Sequence, residues 1–300
     1  MDTVRVTIPA TSANLGPGFD CLGMALGLRN VVEVQAIPDG LAVEVHGEGM
    51  GELALDRNNM VVHAALAVYE ACEAKPPGLH FRLTNRIPPS SGLGSSAAAL
   101  VGGLLAGNAL LGNPFDEHQL LSLACDLEGH PDNASAAMLG GLVVSSQGDC
   151  GFVYRRVHIP PLHVAVALPS VRLSTKTLRA ALPPEVPLRD AASSIGRAAL
   201  VVHALQEEDY DLLSQAMCDR LHEPVRRQAI PGFDRAVEAA RSHGAAAVAI
   251  SGAGPALIAF APEGHEAIAA AMGNAFTQAT GQEAWTWVLP VDEQGAMIVP

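Results

Sequence analysis

The chain is poor in aromatic residues (4%) and in charge (16%), and its bulk comes from Ala, Val and Leu. Side chains that small let helices and sheets approach closely, and 49% hydrophobic residues with so little charge exclude intrinsic disorder. Basic residues are scarce, 18 Lys and Arg against 31 Asp and Glu, for a formal net charge of −13. With no stretch rich in Lys or Arg, neither a nucleic-acid surface nor a polybasic membrane anchor is expected. The five cysteines, at 21, 72, 125, 150 and 218, are odd in number and form no Cys-x-x-Cys. No disulfide framework or zinc ribbon is expected, and the chain reads as a protein of the reducing cytoplasm. Met1-Asp2-Thr3-Val4-Arg5 lacks a basic region followed by an apolar one, so no signal peptide is expected.

Charge is also missing from Ile87 to Phe115, a run long enough to span a bilayer. It opens with Pro88-Pro89-Ser90-Ser91-Gly92 and carries six glycines and Asn108, without flanking Trp or Tyr. A helix buried on all sides in a protein core fits that composition better.

What is present reads as an α+β chain with 300 residues, enough for two ordinary domains. Alternation predicts a strand over Thr3–Ile8, and Val31–Ile37 and Leu41–Val45 read as two more, joined by the turn Pro38-Asp39-Gly40. Asn59–Cys72 suits a helix. Leu79–Ile87 alternates like an antiparallel strand with one wet face. The buried helix should start near Ser95, and Asp116 should cap the next, over Asp116–Leu127. After Ile159-Pro160-Pro161, strands are expected at His163–Leu168, Ala246–Ser251, Ala256–Ala261 and Trp285–Leu289. Helices are expected at Asp190–Leu205, Gly232–His243 and Glu263–Thr280. That order suggests helices on one face of an antiparallel sheet.

The strongest chemical signal is Pro88-Pro89-Ser90-Ser91-Gly92-Leu93-Gly94-Ser95-Ser96-Ala97-Ala98, a strand entering a Gly-rich turn and then a helix N-terminus. Gly92 and Gly94 permit a tight turn and close approach to a ligand, and first-turn amides bind phosphate without a lysine. No Lys follows the second glycine, so this is no Walker A loop. The match to Gly-x-Gly-x-x-Ala is weak for a dinucleotide fold, because no second strand ending in Asp or Glu follows at the needed distance. A Ser/Gly helix cap remains the plain alternative.

Pro-x-x-x-Gly-Leu-Gly-Ser-Ser-Ala-Ala resembles the phosphate-loop motif of the GHMP kinases, the family of galactokinase, homoserine kinase, mevalonate kinase and phosphomevalonate kinase. Two partner motifs stand in family order, Pro9-Ala10-Thr11-Ser12-Ala13-Asn14-Leu15-Gly16-Pro17-Gly18-Phe19-Asp20-Cys21-Leu22-Gly23 and Ser251-Gly252-Ala253-Gly254-Pro255. The resemblance covers essentially the whole chain. It implies a two-lobed α+β fold, an ATP-binding lobe over 1–155 with a left-handed β-α-β unit, and a ferredoxin-like α/β sandwich over 156–300. It also implies ATP and Mg²⁺ as cofactors, with Ser96 and Glu128 on the metal and Pro88–Ala98 around the phosphates. A homodimer is compatible with the family.

The first motif looks most like the homoserine-phosphorylating branch. That likeness assigns Asn14 to the acceptor hydroxyl and Asp20 to its amine; residue by residue, an Asx-turn would equally explain both. Glu128, His130, Asp132 and Asn133 fall in Asp126-Leu127-Glu128-Gly129-His130-Pro131-Asp132-Asn133. Here Glu128 suits a hard cation, His130 either substrate or loop structure, and Asp132 a helix cap. The resemblance implies that Asn133 stands where several sister kinases carry an Asp base, and an amide accepts no proton at neutral pH. Thr175, Arg179 and Arg226 resemble the residues that meet the acceptor, the arginines gripping its carboxylate, with Lys176 and Arg227 as lesser candidates. Gly252 and Gly254 would close the site, although a tight hairpin explains them structurally. Two departures stand out: Ser91 where relatives often carry Arg, and Ala253 where they often carry Ser. The implied reaction is ATP-dependent phosphorylation of L-homoserine, feeding threonine synthesis. A family member with another acceptor (L-threonine, mevalonate or a sugar) and a non-catalytic nucleotide sensor are the alternatives.

Overall fold

In the computed structural model the described residues are 3–149 and 151–299; Cys150 and the chain's first two residues lie outside them. The first half contains β1 (Thr3–Ala13), β2 (Leu22–Ile37), β3 (Leu41–Gly47), α1 (Met60–Ala71), β4 (Gly78–Asn85), α2 (Ser95–Leu110), α3 (Glu117–Glu128), α4 (Asp132–Leu139), β5 (Leu142–Gly148) and β6 (Gly151–Val157). The second half contains β7 (His163–Leu168), α5 (Thr175–Ala180), α6 (Leu188–Glu207), α7 (Tyr210–Ala216), α8 (Glu223–Arg226), α9 (Phe233–Ser242), β8 (Ala247–Ile250), β9 (Leu257–Phe260), α10 (His265–Thr280), β10 (Trp285–Pro290) and β11 (Met297–Val299).

The first sheet runs β11-β1-β2-β4-β3, with β5 on the other end of β2 and β6 beside β5. Two expectations change here. Pro38-Asp39-Gly40 joins β2 to β3 without pairing them, because β4 inserts between the two. Gly78 permits this, since a Cβ there would lie 2.5 Å from the Asp39 carbonyl carbon. The strand expected to be antiparallel is so only toward β2; toward β3 it is parallel, with Leu41 opposite Leu79, and α1 is the crossover. The first motif begins in β1, which extends through Ala13, and its polar residues Asn14, Gly16, Gly18 and Asp20 fall in the loop before β2. Pro9 has no amide for the ladder, and the register slips between Pro9 and Ala10.

The uncharged run is α2, sixteen residues packed over the sheet and against α1. Among the described residues no helix is long and apolar enough to cross a membrane. Glycines bring α2 onto α1: a Cβ at Gly103 would lie 2.3 Å from Val61 O, and one at Gly107 2.6 Å from Ala65 O. Asp116 caps α3 as expected, in a reciprocal pair with the Gln119 side chain.

The second sheet has the order β10-β7-β9-β8, all antiparallel, which is the ferredoxin-like arrangement. A division at 155 falls inside β6, and β11 returns to the first sheet to pair with β1. The edge strand β8 would leave the outward Ile250 amide bare, and it donates instead to Glu223 Oε1 at 2.8 Å. Burial pushes the Glu223 carboxyl up to about 7; Asp219 adds to that, while the Ile250 amide, Arg226 and Arg227 oppose it.

Two outcomes follow from this packing. Gly103→Ala should cost about 1–3 kcal/mol by overpacking, lowering the melting temperature by several degrees. Between pH 4.5 and about 7 the folded chain keeps a proton on Glu223 that the unfolded chain releases, so this group's contribution to stability falls as pH rises through that window. Glu223→Gln has no such loss, so its melting temperature minus that of the parent should climb from pH 4.5 to 8. A pH-independent difference would show that Glu223 does not titrate there.

Candidate active site

Backbone contacts lace the three motifs together. Thr11 N donates to Leu93 O (3.1 Å), Gly252 N to Ala13 O (3.0 Å) and Ala256 N to Ser91 O (3.0 Å). Ser251 Oγ lies 2.7 Å from Gly92 O and 2.9 Å from Ser12 Oγ. At Gly92 (φ 85°) a Cβ would stand 2.4 Å from Ser251 O, and at Gly94 (φ 68°) 1.8 Å from Thr11 Oγ1. Both positions therefore require glycine, for the left-handed backbone and for the contact.

Gly94 precedes α2 without any side-chain cap, and the first intrahelical bond of this end is Ala98 N to Gly94 O. The amides of Ser95 and Ser96 thus stand without helical partners at the wall of a cavity of about 440 Å³, with that of Ala97 behind them. The same cavity is lined by Asn14, Asp20, Ser90, Ser91, Gly92, Gly94, Glu128, His130, Asn133, Thr175, Arg179, Arg226 and Gly252. Of the remaining candidates, Leu93, Ala97 and Ala98 are buried behind the loop, and Pro88, Pro89 and Gly254 also lie off the cavity wall. Lys176 lines it as well, whereas the exposed Arg227 faces Asp234 at 4.0 Å.

Several side chains have partners that the sequence did not announce. Asn14 (φ 69°) is buried and bridges two motifs, its Nδ2 donating to Gly252 O (2.8 Å) and its Oδ1 accepting from Asp20 N (3.0 Å). Asp20 is gripped by both terminal nitrogens of Arg179, at 2.8 and 2.6 Å, across 159 residues of chain. Asp132 is not the expected helix cap. Pro131 holds that position, and the Asp132 carboxylate, in a residue only 2% exposed, accepts from His130 Nδ1 (2.8 Å) and Asn133 N (2.7 Å). Burial alone would lower the His130 pKa, but the hydrogen bond and charge of Asp132, with Glu128, outweigh it and raise it overall. Thr11, given no role from sequence, donates to Asn133 Oδ1 at 2.7 Å. No local pattern signals that contact. Ser91 is folded into the loop, donating to Pro88 O and accepting from Leu93 N, so it is structural where a cation could have stood.

Ser96 Oγ donates to Glu128 Oε1, while Glu128 Oε2 is buried with no partner and burial raises the carboxyl pKa. A hydroxyl and a half-unsatisfied carboxylate beside the free amides of a helix start suit a hard divalent cation that bridges to phosphate. Next to this cavity, sharing Met60, Ser90, Ser95 and Ser96, lies a second of about 260 Å³ lined by Val32, Leu53, Asn58, Val61, Leu83 and Ala98. Its apolar walls suit a flat heterocycle placed one phosphate chain away, a feature absent from the motifs because its residues are scattered from Asn30 to Ala99.

The sequence matches the GHMP kinases N terminal domain over residues 59–141 and the GHMP kinases C terminal over residues 201–278. It is 44% identical to a homoserine kinase of Carboxydothermus hydrogenoformans, over 98% of this chain and 96% of that protein. It is 40% identical to one of Desulfitobacterium hafniense, over 99% of this chain and all of that protein. The crystal structure of homoserine kinase from Cytophaga hutchinsonii superposes with a TM-score of 0.89 at 32% identity, covering 100% of this chain and 98% of that one. With the open helix start, the Ser96–Glu128 pair and both lobes in place, the chain belongs to the GHMP kinase family.

Proposed function

We propose that the protein transfers the γ-phosphoryl group of ATP, with Mg²⁺, to the side-chain hydroxyl of L-homoserine, giving ADP and O-phospho-L-homoserine for threonine synthesis. The observation that carries this reading is the placement of one carboxylate, Asp20, and two guanidiniums, Arg179 and Arg226, in the same cavity as the open start of α2. A zwitterionic acceptor matches those charges; an uncharged sugar does not. The reading agrees with relatives named homoserine kinase over nearly their whole lengths. In this reading the first lobe ends after β6, and β11 belongs with it.

The acceptor's ammonium would take the place of Arg179 at Asp20, and its carboxylate would take Arg179 and Arg226. Asn14 keeps one amide hydrogen and one lone pair beyond its backbone partners, enough to orient the hydroxyl. Thr175, at the first turn of α5, stands at the acceptor end, and Gly252 brings the hairpin over it. ATP would place its phosphates on the amides of Ser95–Ala97 and its base in the smaller apolar cavity. Ser96 and Glu128 would hold Mg²⁺, which neutralises charge on the phosphates.

Neither Asn133 nor His130 is set up as a proton acceptor. Asn133 is an amide tied to Thr11, and His130, with a raised pKa, stays protonated to higher pH than a free imidazole. Phosphoryl transfer passes through a loose transition state, so positioning and charge neutralisation supply most of the rate and the hydroxyl proton leaves late, to a phosphate oxygen.

Mg²⁺-dependent ADP release, measured in parallel with L-homoserine, L-threonine, mevalonate and galactose, should show homoserine far ahead. Arg226→Ala should then lower kcat/KM for homoserine by at least about a hundredfold, as expected when a charge-assisted contact of about 3 kcal/mol is lost. Preference for another acceptor would keep the kinase and discard the substrate. The pH profile of kcat should show no essential base between pH 6 and 7; an ionisation there that disappears in His130→Asn would overturn the base-free mechanism.

A further inference from the structure

Arg226 is an unusual cation. It is 1% exposed, yet among the described residues no carboxylate lies within ion-pair distance of it. One terminal nitrogen donates to Gly252 O (3.0 Å) and His222 Nδ1 (3.1 Å), and its Nε has no partner. Burial, and then the positive charge of Arg179, lower its pKa. A buried guanidinium beside a second one is costly, and the charges of Asp20, Asp132 and Asp219, none paired with Arg226, leave room for a further offset.

Phe19 provides that offset. Both guanidinium carbons, of Arg179 and of Arg226, lie 5.3 Å from the centre of its ring. The imidazole of His222 stacks on the same ring, with centroids 5.3 Å apart and planes 29° from parallel. His222 is wholly buried and its Nε2–H donates to Gly16 O (2.9 Å), which leaves Nδ1 as the lone pair that Arg226 needs. Burial lowers the His222 pKa, with Asp219 and Asp20 opposing and Arg226 assisting, so the ring stays neutral. Phe19 does not line the larger cavity; it backs the two arginines that do.

We propose that Phe19 is the positioning residue that holds the Arg179 and Arg226 guanidiniums as a pair facing the pocket, and so sets the preference for an acceptor bearing a carboxylate. The negative face of the ring lowers the cost of keeping two cations together without occupying a hydrogen-bond donor, and Arg179 keeps Asp20 as its partner until the acceptor's ammonium takes its place. An acceptor carboxylate then enters a site whose positive charge is already assembled. The inference rests on the acceptor reading given above.

The test is steady-state kinetics on Phe19→Leu and Phe19→Trp. Leucine fills much of the space without a π face; tryptophan keeps the face. Phe19→Leu should raise KM for L-homoserine about tenfold, the loss of cation–π contacts of ordinary strength, with kcat and KM for ATP within about twofold of the parent. Phe19→Trp should stay within about threefold on all three. Unchanged homoserine KM in Phe19→Leu, or equal losses in both variants, would overturn the proposal by showing that the ring only fills space. Should Phe19→Leu fail to fold, the folded Phe19→Trp still decides, since a tenfold rise in its homoserine KM contradicts a role carried by the π face. A parent enzyme that does not use homoserine removes the acceptor reading, and the role of Phe19 with it.

Discussion

The active site depends on backbone lying directly on backbone. The Gly-rich loop, the end of β1 and the β8–β9 hairpin meet through main-chain amides and carbonyls, with no side-chain layer between loop and hairpin at Gly92. That contact fixes the direction of α2, and with it the amides of Ser95 and Ser96 at the cavity wall. It also binds the lobes, since the hairpin belongs to the second sheet and the loop to the first. A site made this way has little freedom to relax, which suits catalysis that works mainly by placing charge.

Side chains fasten the same junction from outside. Asn14 and Arg226 converge on Gly252 O, Glu223 takes the adjacent Ile250 amide, and His222 reaches Gly16 O. The segment from Asp219 to Arg226 is therefore a fastening that touches both the first and third motifs. Asp219 in turn accepts the amides of Leu221, His222 and Glu223, which fixes where that segment starts. Arg226, which fastens this junction at Gly252 O, also lines the cavity at the start of α2.

Local chemistry made much of this legible in the sequence. The Gly-rich turn before Ser95, the Asp116 cap and the Gly252–Gly254 hairpin are each encoded within a few residues. The position of β4 between β2 and β3, the parallel β3–β4 pair and the return of β11 depend on pairings between distant segments, which periodicity does not report. The site divides the same way. Residue types named Asp20, Glu128, Arg179 and Arg226, but the Asp20–Arg179 grip, the Thr11–Asn133 bond and the Asp132–His130 pair join segments or orientations that only folding reveals. Asp132 shows the limit most plainly, since an Asp at a helix start suggests a cap until its burial beside His130 is known.

The pairing of β11 with β1 has a consequence for synthesis. Residues 3–13 are synthesised long before residues 297–299, which cover the outer edge of that strand. Until β11 has been made, the edge of β1 offers unpaired amides and carbonyls to any passing strand.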